Sequence, residues 1–286
     1  MLGAAWIANR ALLPAMAAAT GVETVAIASR DPQRARAMAA VHGIATVHDD
    51  YDALLADPQV DAVYIALANH LHHPWTLRAL HAGKHVLCEK PLGMTAAEVR
   101  DMAGAARASG RVLMEAFMYR FHPRMQELRA RVTEVRHLQA AFSFTLSDEA
   151  NYRLLPEYGG GALLDVGCYT LDVSRWFCGE PRRVTALAQG TPVDLSVAAA
   201  IEFERGATAT VWASFAAPEH QTLTVVTGET VETVTRPFTA WRDPHDPYQL
   251  MVEAFARSVL EGSPPPRSLD DSIGTAVLID RVRAAF

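Results

Sequence analysis

Residues 61–90 read DAVYIALANHLHHPWTLRALHAGKHVLCEK. DAVYIAL (61–67) is an apolar, β-rich run, long enough for a buried strand and too short for a typical helix. A helical segment follows at HPWTLRALHAG (73–83), then a second β-rich run at HVLCEK (85–90). Strand, helix and strand in this order read as a parallel βαβ unit.

The same alternation extends outward in both directions. Upstream, ETVAIAS (23–29) reads as a strand. DPQRARAMAAVHG (31–43) reads as a helix with Asp31 at its N-cap, Pro32 at the first helical position and Gly43 after its end. Downstream come a helix at TAAEVRDMAGAARASG (95–110) and a strand at RVLMEAF (111–117). Residues 1–119 are therefore expected to form a doubly wound, Rossmann-type α/β domain, whose ligands bind beyond the carboxyl ends of the strands.

After residue 120 the pattern changes. One helix (122–132) and one strand (134–147) lead to the glycine-rich GGGALLDVGCYTLDVSRWFCG (159–179). The later runs RVTALAQ, VAAAIEFE, TATVWASFA and TLTVVTG are β-rich with short turns. Crossover helices, which parallel strands require, are absent there, so a large and mostly antiparallel open sheet is expected. Two helices (247–261 and 268–285), separated by the loop GSPPPRS, close the chain. Residues 120–286 are read as an α+β domain for substrate binding and oligomerisation, with the closing helices packing back on the first domain.

Composition narrows the function. A chain of 286 residues suits two domains, and a net charge of -6 offers no broad basic surface to nucleic acid or an anionic membrane. No apolar run approaches the ~18–20 residues that span a bilayer. Cys88, Cys168 and Cys178 are an odd set without scaffold spacing, which favours free thiols in a reducing, cytoplasmic compartment. The alanine-rich start lacks a basic n-region, and Asn9 and Arg10 interrupt it, so it is not read as a signal peptide.

The first residues pose a problem. Gly3-Ala4-Ala5-Trp6-Ile7-Ala8 has the small-x-small-x-x-small outline of a dinucleotide turn, with a helix expected from Ile7 to Ala19, bent or restarted at Pro14. A plain helix start explains the same residues. Only Met1 and Leu2 stand where a strand should precede Gly3, so the first strand reads as missing or truncated. An in-frame apolar strand upstream of Met1 is the expectation. At the end of the second strand, Ser29 and Arg30 suit the 2′-phosphate of NADP better than the 2′-hydroxyl of NAD, though NAD stays possible and Arg30 also reads as a solvated charge.

Three ordered motifs carry more specific information. They are Asn69, His72 and the triplet Glu89-Lys90-Pro91; MEAFMYRFHP (114–123); and GGGALLDVGCY (159–169). With these the chain resembles the Gfo/Idh/MocA oxidoreductases over nearly its whole length. The resemblance is strongest to the branch with dimeric dihydrodiol dehydrogenase, NADP-dependent xylose dehydrogenases and glucose–fructose oxidoreductase, which has tyrosine at the position of Tyr169. It implies hydride transfer between NADP and a secondary alcohol or carbonyl of a sugar, cyclic polyol or diol. Tyr169 would be the acid/base and Lys90 its assistant, since a nearby ammonium favours the phenolate.

Asp165 would orient the tyrosine or the substrate from one helical turn away, or serve only as an acid favoured by the helix dipole. Gly3, Ala5, Trp6, Ile7, Ser29, Arg30, Leu67, Asn69, His72, Glu89 and Lys90 are the expected cofactor wall. Gly159, Gly160 and Gly161 would let a helix start approach nicotinamide or sugar. Arg120 and His122 are candidates for substrate hydroxyls, with ordinary packing an equal alternative.

No metal site is expected: the histidines of NHLHHP lack acidic or thiol partners at a recurrent spacing, and the family is not metal-dependent. Two other readings compete, a non-catalytic nucleotide sensor and an NAD-dependent glycosidase working by transient oxidation. Apolar side chains on both faces of the second-domain sheet suggest a homodimer or larger assembly through it.

Overall fold

The computed structural model describes residues 1–239 and 244–286. The chain divides into two compact units. One contains Met1–Gly93, Ala97–His122 and residues 244–272; the other contains Met94–Ala96, Pro123–Thr239 and Ile273–Phe286.

In the first unit the elements are α1 (Leu13–Ala18, entered through a π turn over Ala8–Leu12), β1 (Ala26–Ala28), α2 (Pro32–His42), β2 (Thr46–His48) and α3 (Tyr51–Ala56). Next come β3 (Ala62–Ile65), α4 (His72–His81), β4 (His85–Glu89), α5 (Ala96–Ser109) and β5 (Leu113–Ala116). The wide turn before Pro14 answers the expected bend, because proline offers no amide to the regular ladder. Asp31 caps α2 by accepting from the Gln33 and Arg34 amides, and Gly43 ends it with φ 68°. β1 pairs with β2, and β3, β4 and β5 pair in that order, all parallel.

Leu2 joins these two groups. It bridges Ala28 on one side and Ile65 on the other, both in the parallel sense. The Leu2 amide donates to Tyr64 O at 2.9 Å, Ala66 N donates to Leu2 O at 3.0 Å, and Ala28 N donates to Met1 O at 3.0 Å. Met1 and Leu2 thus form the carboxyl end of the central strand that the sequence reading expected to be missing. Behind them, toward the amino ends of β1 and β3, a cavity of about 590 Å³ continues the strand's line. Val25, Ala26, Ala62, Tyr64 and Phe255 are among its walls. The Met1 ammonium faces Ala26 O at 2.6 Å, and burial pushes its pKa down from 8.0 to about 5.

The second unit is built on a six-stranded sheet in the order β11-β10-β6-β9-β8-β7. Its strands are β6 (His137–Thr145), β7 (Pro181–Gln189), β8 (Ser196–Phe203), β9 (Thr208–Ser214), β10 (Ala216–Val226) and β11 (Val231–Thr235). The sheet is mostly antiparallel, as expected, with one parallel seam where β6 and β9 pair. The chain between them makes the crossover through α7 (Cys168–Cys178), which packs on both strands. Val197, Ala199, Ile201, Ala209, Val211 and Ala213 alternate inward, burying one face. α6 (Pro123–Arg131) and residues 273–283 of α9 (Leu269–Arg283) complete this unit, whereas α8 (Pro247–Glu261) belongs to the first.

Candidate active site

The strands of the first unit end on one edge, and the Gly3–Ala8 stretch, read from the sequence as a dinucleotide turn, lies there. Gly3 has φ 96°, and a Cβ on it would stand 2.5 Å from Ala66 O and 2.8 Å from a Leu67 methyl. Only glycine allows the turn to cross the exit of β3 this closely. Leu67 is therefore a wall of the turn. The chain enters its first helix directly after Ala5, so the amides of that first turn are oriented as an anion site. These features fit a dinucleotide pyrophosphate. Trp6 is exposed, with the Arg10 guanidinium 5.1 Å from its ring, and Ile7 is half-buried.

Ser29 is buried, and its hydroxyl accepts from the Asp31 amide at 3.3 Å. Arg30 is exposed, and its amide donates to the Tyr51 hydroxyl. A second guanidinium escaped the sequence reading: Arg34 reaches back to donate to Ala4 O at 2.9 Å. Its position three residues into α2 carried no motif, yet it places a positive charge against the turn.

β4 delivers the triplet Glu89-Lys90-Pro91. Glu89 is buried and accepts from the Tyr64 hydroxyl, while Lys90 is half-buried and the Lys90–Pro91 bond is cis. Burial first, and then the Glu89 carboxylate, hold the Tyr64 phenol well above its usual range. Asn69 is buried in the short turn that follows β3.

His72, expected on the cofactor side, is instead turned into the protein. Its Nδ1 lies 2.8 Å from Pro91 O and its Nε2 lies 3.0 Å from Leu67 O. The ring therefore sits between the exits of β3 and β4, and as a neutral imidazole it donates its one N–H to one of the two carbonyls. Burial outweighs these carbonyl contacts and pushes its pKa down from 6.5 to about 4.

That shift has a pH signature. The unfolded chain binds the His72 proton below about pH 6.5, the folded one only below about pH 4, so stability falls as pH drops through this window. The loss reaches about 3 kcal/mol at its lower end, at about 1.36 kcal/mol per unit. Denaturant unfolding from pH 4 to 7 checks this, because His72→Gln is expected to flatten that part of the slope.

Arg120 and His122 are both buried. Arg120 pairs with Asp271, and the His122 ring meets His245 edge-on at 6.3 Å between centroids. Of the clustered histidines, His73 pairs with Asp101 at 2.7 Å. Among the described residues no group of three or more His, Cys, Asp or Glu is arranged to hold a metal ion.

In the second unit, Tyr169 opens α7 and is 7% exposed. Its ring packs against Phe142 and Phe238 at 5.5 and 5.3 Å between centroids. Asp165 lies in a π turn (Leu163–Gly167), so the regular one-turn spacing to Tyr169 does not hold; Asp165 accepts from Arg153 Nε at 2.8 Å. The glycines have local causes. A Cβ on Gly160 would strike Arg153 O, and one on Gly161 would strike the Asp194 carboxylate, which accepts from the Leu163 amide at 2.6 Å. Their smallness thus serves the packing of their own unit.

Residues 1–117 match the family described as "Oxidoreductase family, NAD-binding Rossmann fold", and residues 126–232 match the "GFO/IDH/MocA C-terminal domain". The chain belongs to the Gfo/Idh/MocA oxidoreductase family. It is 40% identical to a D-xylose 1-dehydrogenase (NADP⁺) of Haloferax volcanii, covering 99% of this chain and 95% of that one. It is 37% identical over 190 residues to a trans-1,2-dihydrobenzene-1,2-diol dehydrogenase of Xenopus laevis, covering 63% and 57%.

A 3-ketoreductase from Actinomadura kijaniata, solved in complex with NADP and TDP-benzene, superposes with a TM-score of 0.87 at 30% identity over 99% and 96% of the two chains. The protein is thus an NAD(P)-dependent oxidoreductase with a Rossmann domain and a mixed-sheet domain. No helix among its described residues is long and apolar enough to cross a membrane.

Proposed function

We propose that this enzyme transfers a hydride between NADP and a secondary alcohol or carbonyl of a sugar, cyclic polyol or trans-dihydrodiol. The observation that carries the reading is nearly full-length similarity to an NADP⁺-dependent xylose dehydrogenase in a chain whose Lys90 stands at the carboxyl end of β4. When bound, the nicotinamide supplies the hydride acceptor or donor. Gly3, Ala5, Trp6, Ile7, Leu67, Asn69 and Glu89 would hold the cofactor, with His72 acting through the two backbone segments it joins.

The chain's own work is the proton. Tyr169 Oη takes it from the substrate hydroxyl in oxidation and returns it in reduction. A phenol with a pKa near ~10 is a poor base at neutral pH, and the Lys90 ammonium favours its ionised form while donating to the substrate oxygen. Asp165, held by Arg153, would orient substrate hydroxyls. Arg120, paired with Asp271, and His122 would contribute donors to substrate hydroxyls.

The preference for NADP rests on Arg30. Its guanidinium would engage the 2′-phosphate through charge-assisted hydrogen bonds. Arg30→Ala is expected to raise KM for NADP⁺ by about 10- to 150-fold and leave that for NAD⁺ within about twofold, at about 1.5–3 kcal/mol for a bond to a charged group. An unchanged ratio of the two constants would assign the preference elsewhere.

The outer face of the second-unit sheet is proposed to meet a second copy of the chain. A shallow depression of about 680 Å³ there is lined by Ala141, Leu187, Ala198, Ala200, Thr210 and Trp212, and Leu187 is 77% exposed. Small and apolar groups dominate it, as an obligate interface requires. Light scattering at micromolar concentration is expected to give at least twice the chain mass, with Ala200→Arg returning it to the monomer value.

A further inference from the structure

Lys90 leaves β4 on a turn whose next amide is held by a buried ion pair. The Leu92 amide donates to Glu115 Oε1 at 2.8 Å. The other oxygen of Glu115 accepts from Arg267 Nε at 3.0 Å and Nη2 at 2.7 Å. Glu115 is 3% exposed and Arg267 1%. The guanidinium also stands 4.6 Å from the Phe117 ring centroid, and its Nη1 lies 3.5 Å from Asp271, which takes Arg120 as well. Arg267 comes from the loop after α8, 152 residues beyond Glu115.

Stability alone is a weak reason to bury such a pair, since apolar residues of similar volume commonly serve as well or better. An apolar pair, however, cannot accept the Leu92 amide. The two-pronged contact with Arg267 fixes the plane of the Glu115 carboxylate. That leaves Oε1 in one place, and the backbone two residues beyond Lys90 is pinned to it. On the other side of the turn, His72 packs with its Nδ1 2.8 Å from Pro91 O. The segment carrying Lys90 is thus held by the Glu115 carboxylate at Leu92 and packed against the His72 ring at Pro91.

We infer that Glu115 and Arg267 are positioning residues that set Lys90 for proton transfer, an inference that rests on the reading of Lys90 given above. They touch neither substrate nor cofactor and act through the Leu92 amide. A displacement of about 1 Å at a reacting group costs on the order of 100-fold in rate, so a small slackening of this turn is visible in kcat.

Two double variants of the full chain separate positioning from packing. Glu115→Gln with Arg267→Met removes both charges and keeps a carbonyl oxygen for the Leu92 amide. Glu115→Leu with Arg267→Met removes both charges and the acceptor. Each is assayed with NADP⁺ and whichever of D-xylose, D-glucose, myo-inositol and a trans-dihydrodiol the parent turns over fastest.

The Leu-containing variant is expected to lose about 10- to 100-fold in kcat with KM for NADP⁺ within about threefold. Its kcat–pH profile is expected to shift toward higher pH, because a displaced Lys90 favours the phenolate less. The Gln-containing variant is expected to recover at least tenfold of the lost rate. Should the Leu-containing variant not fold, Arg267→Lys takes its place. It keeps the charge and the acceptor but frees the plane of the Glu115 carboxylate, with a loss of about 3- to 10-fold in kcat and a pH shift in the same direction expected. Equal kcat and superimposable pH profiles in the compared variants would overturn the inference. Lys90→Met with parental turnover would overturn the reading beneath it, and the two failures are distinct.

Discussion

Tyr169→Phe is expected to lower kcat by about 10²- to 10⁴-fold, the usual worth of a positioned acid/base, while the dissociation constant for NADP⁺ changes by less than about threefold. The substitution is clean because the ring of Tyr169 is wedged between Phe142 and Phe238, contacts that phenylalanine keeps. Lys90→Met is expected to lose as much. In the proposed mechanism it removes the ammonium that would favour the phenolate at neutral pH. If both residues serve one proton transfer, the double variant is barely slower than either single one, since parts of one machine are grossly non-additive. Stopped-flow traces with saturating cofactor read the step, and binding of NADP⁺ followed by fluorescence shows that the cofactor site survives. Full multiplication of the two losses would mean that the two residues act separately.

Five apolar, β-branched residues added before Met1 are expected to raise the melting temperature by roughly 6–12 °C. Ladder parity gives the reason. The Leu2 amide and carbonyl pair with Tyr64 O and Ala66 N, and Met1 O pairs with Ala28 N. In a parallel ladder a residue's amide and carbonyl point to the same neighbour. The Tyr64 amide, the Ala26 amide and both polar groups of Ala62 therefore face the cavity behind Met1.

An added strand meets those groups, covers apolar walls such as Val25 and Phe255, and replaces a buried ammonium with a peptide amide. Apolar burial at about 25 cal/mol per Å² and relief of about 1–3 kcal/mol per unpaired buried group exceed the ordering cost by on the order of 3 kcal/mol. At this size each kcal/mol moves the melting point by about 2–4 °C. Calorimetry of the extended chain beside one carrying five Gly/Ser residues checks it, and equal melting points would show that the slot accepts no strand. Tighter NADP⁺ binding is expected with the stable form, because the proposed cofactor turn begins at Gly3, the next residue of the same strand.

The strand–helix rhythm that fixes the first unit was legible because buried parallel strands are continuous apolar runs bounded by capped helices. β2 (Thr46–His48) and α3 (Tyr51–Ala56) went unread: three half-buried residues and a six-residue helix leave too short a pattern. The parallel seam between β6 and β9 was also invisible, because local patterning shows which face of a strand is buried and not which strand lies beside it.

At the candidate site, Glu89, Lys90 and Pro91 could be placed at a strand end from the sequence. Arg34 and Arg267 could not. Each earns its place through a contact 30 or 152 residues away, and long-range pairing leaves no local mark. The local demand for glycine at Gly160 and Gly161 went unread for the same cause, since the Arg153 carbonyl and the Asp194 carboxylate that a Cβ would strike are remote in sequence or hidden in a turn.

The central claim, NADP-dependent oxidation of a polyhydroxylated substrate by this chain, is tested most directly by the absorbance of the reduced cofactor. With NADP⁺ present, D-xylose, D-glucose, myo-inositol and a trans-dihydrodiol are offered in turn to the parent chain and to Tyr169→Phe. Steady formation of NADPH with at least one of the four, lost on Tyr169→Phe, is the predicted result. Saturable NADP⁺ binding with no NADPH from any of the four would contradict the account and leave a nucleotide-binding protein without this chemistry.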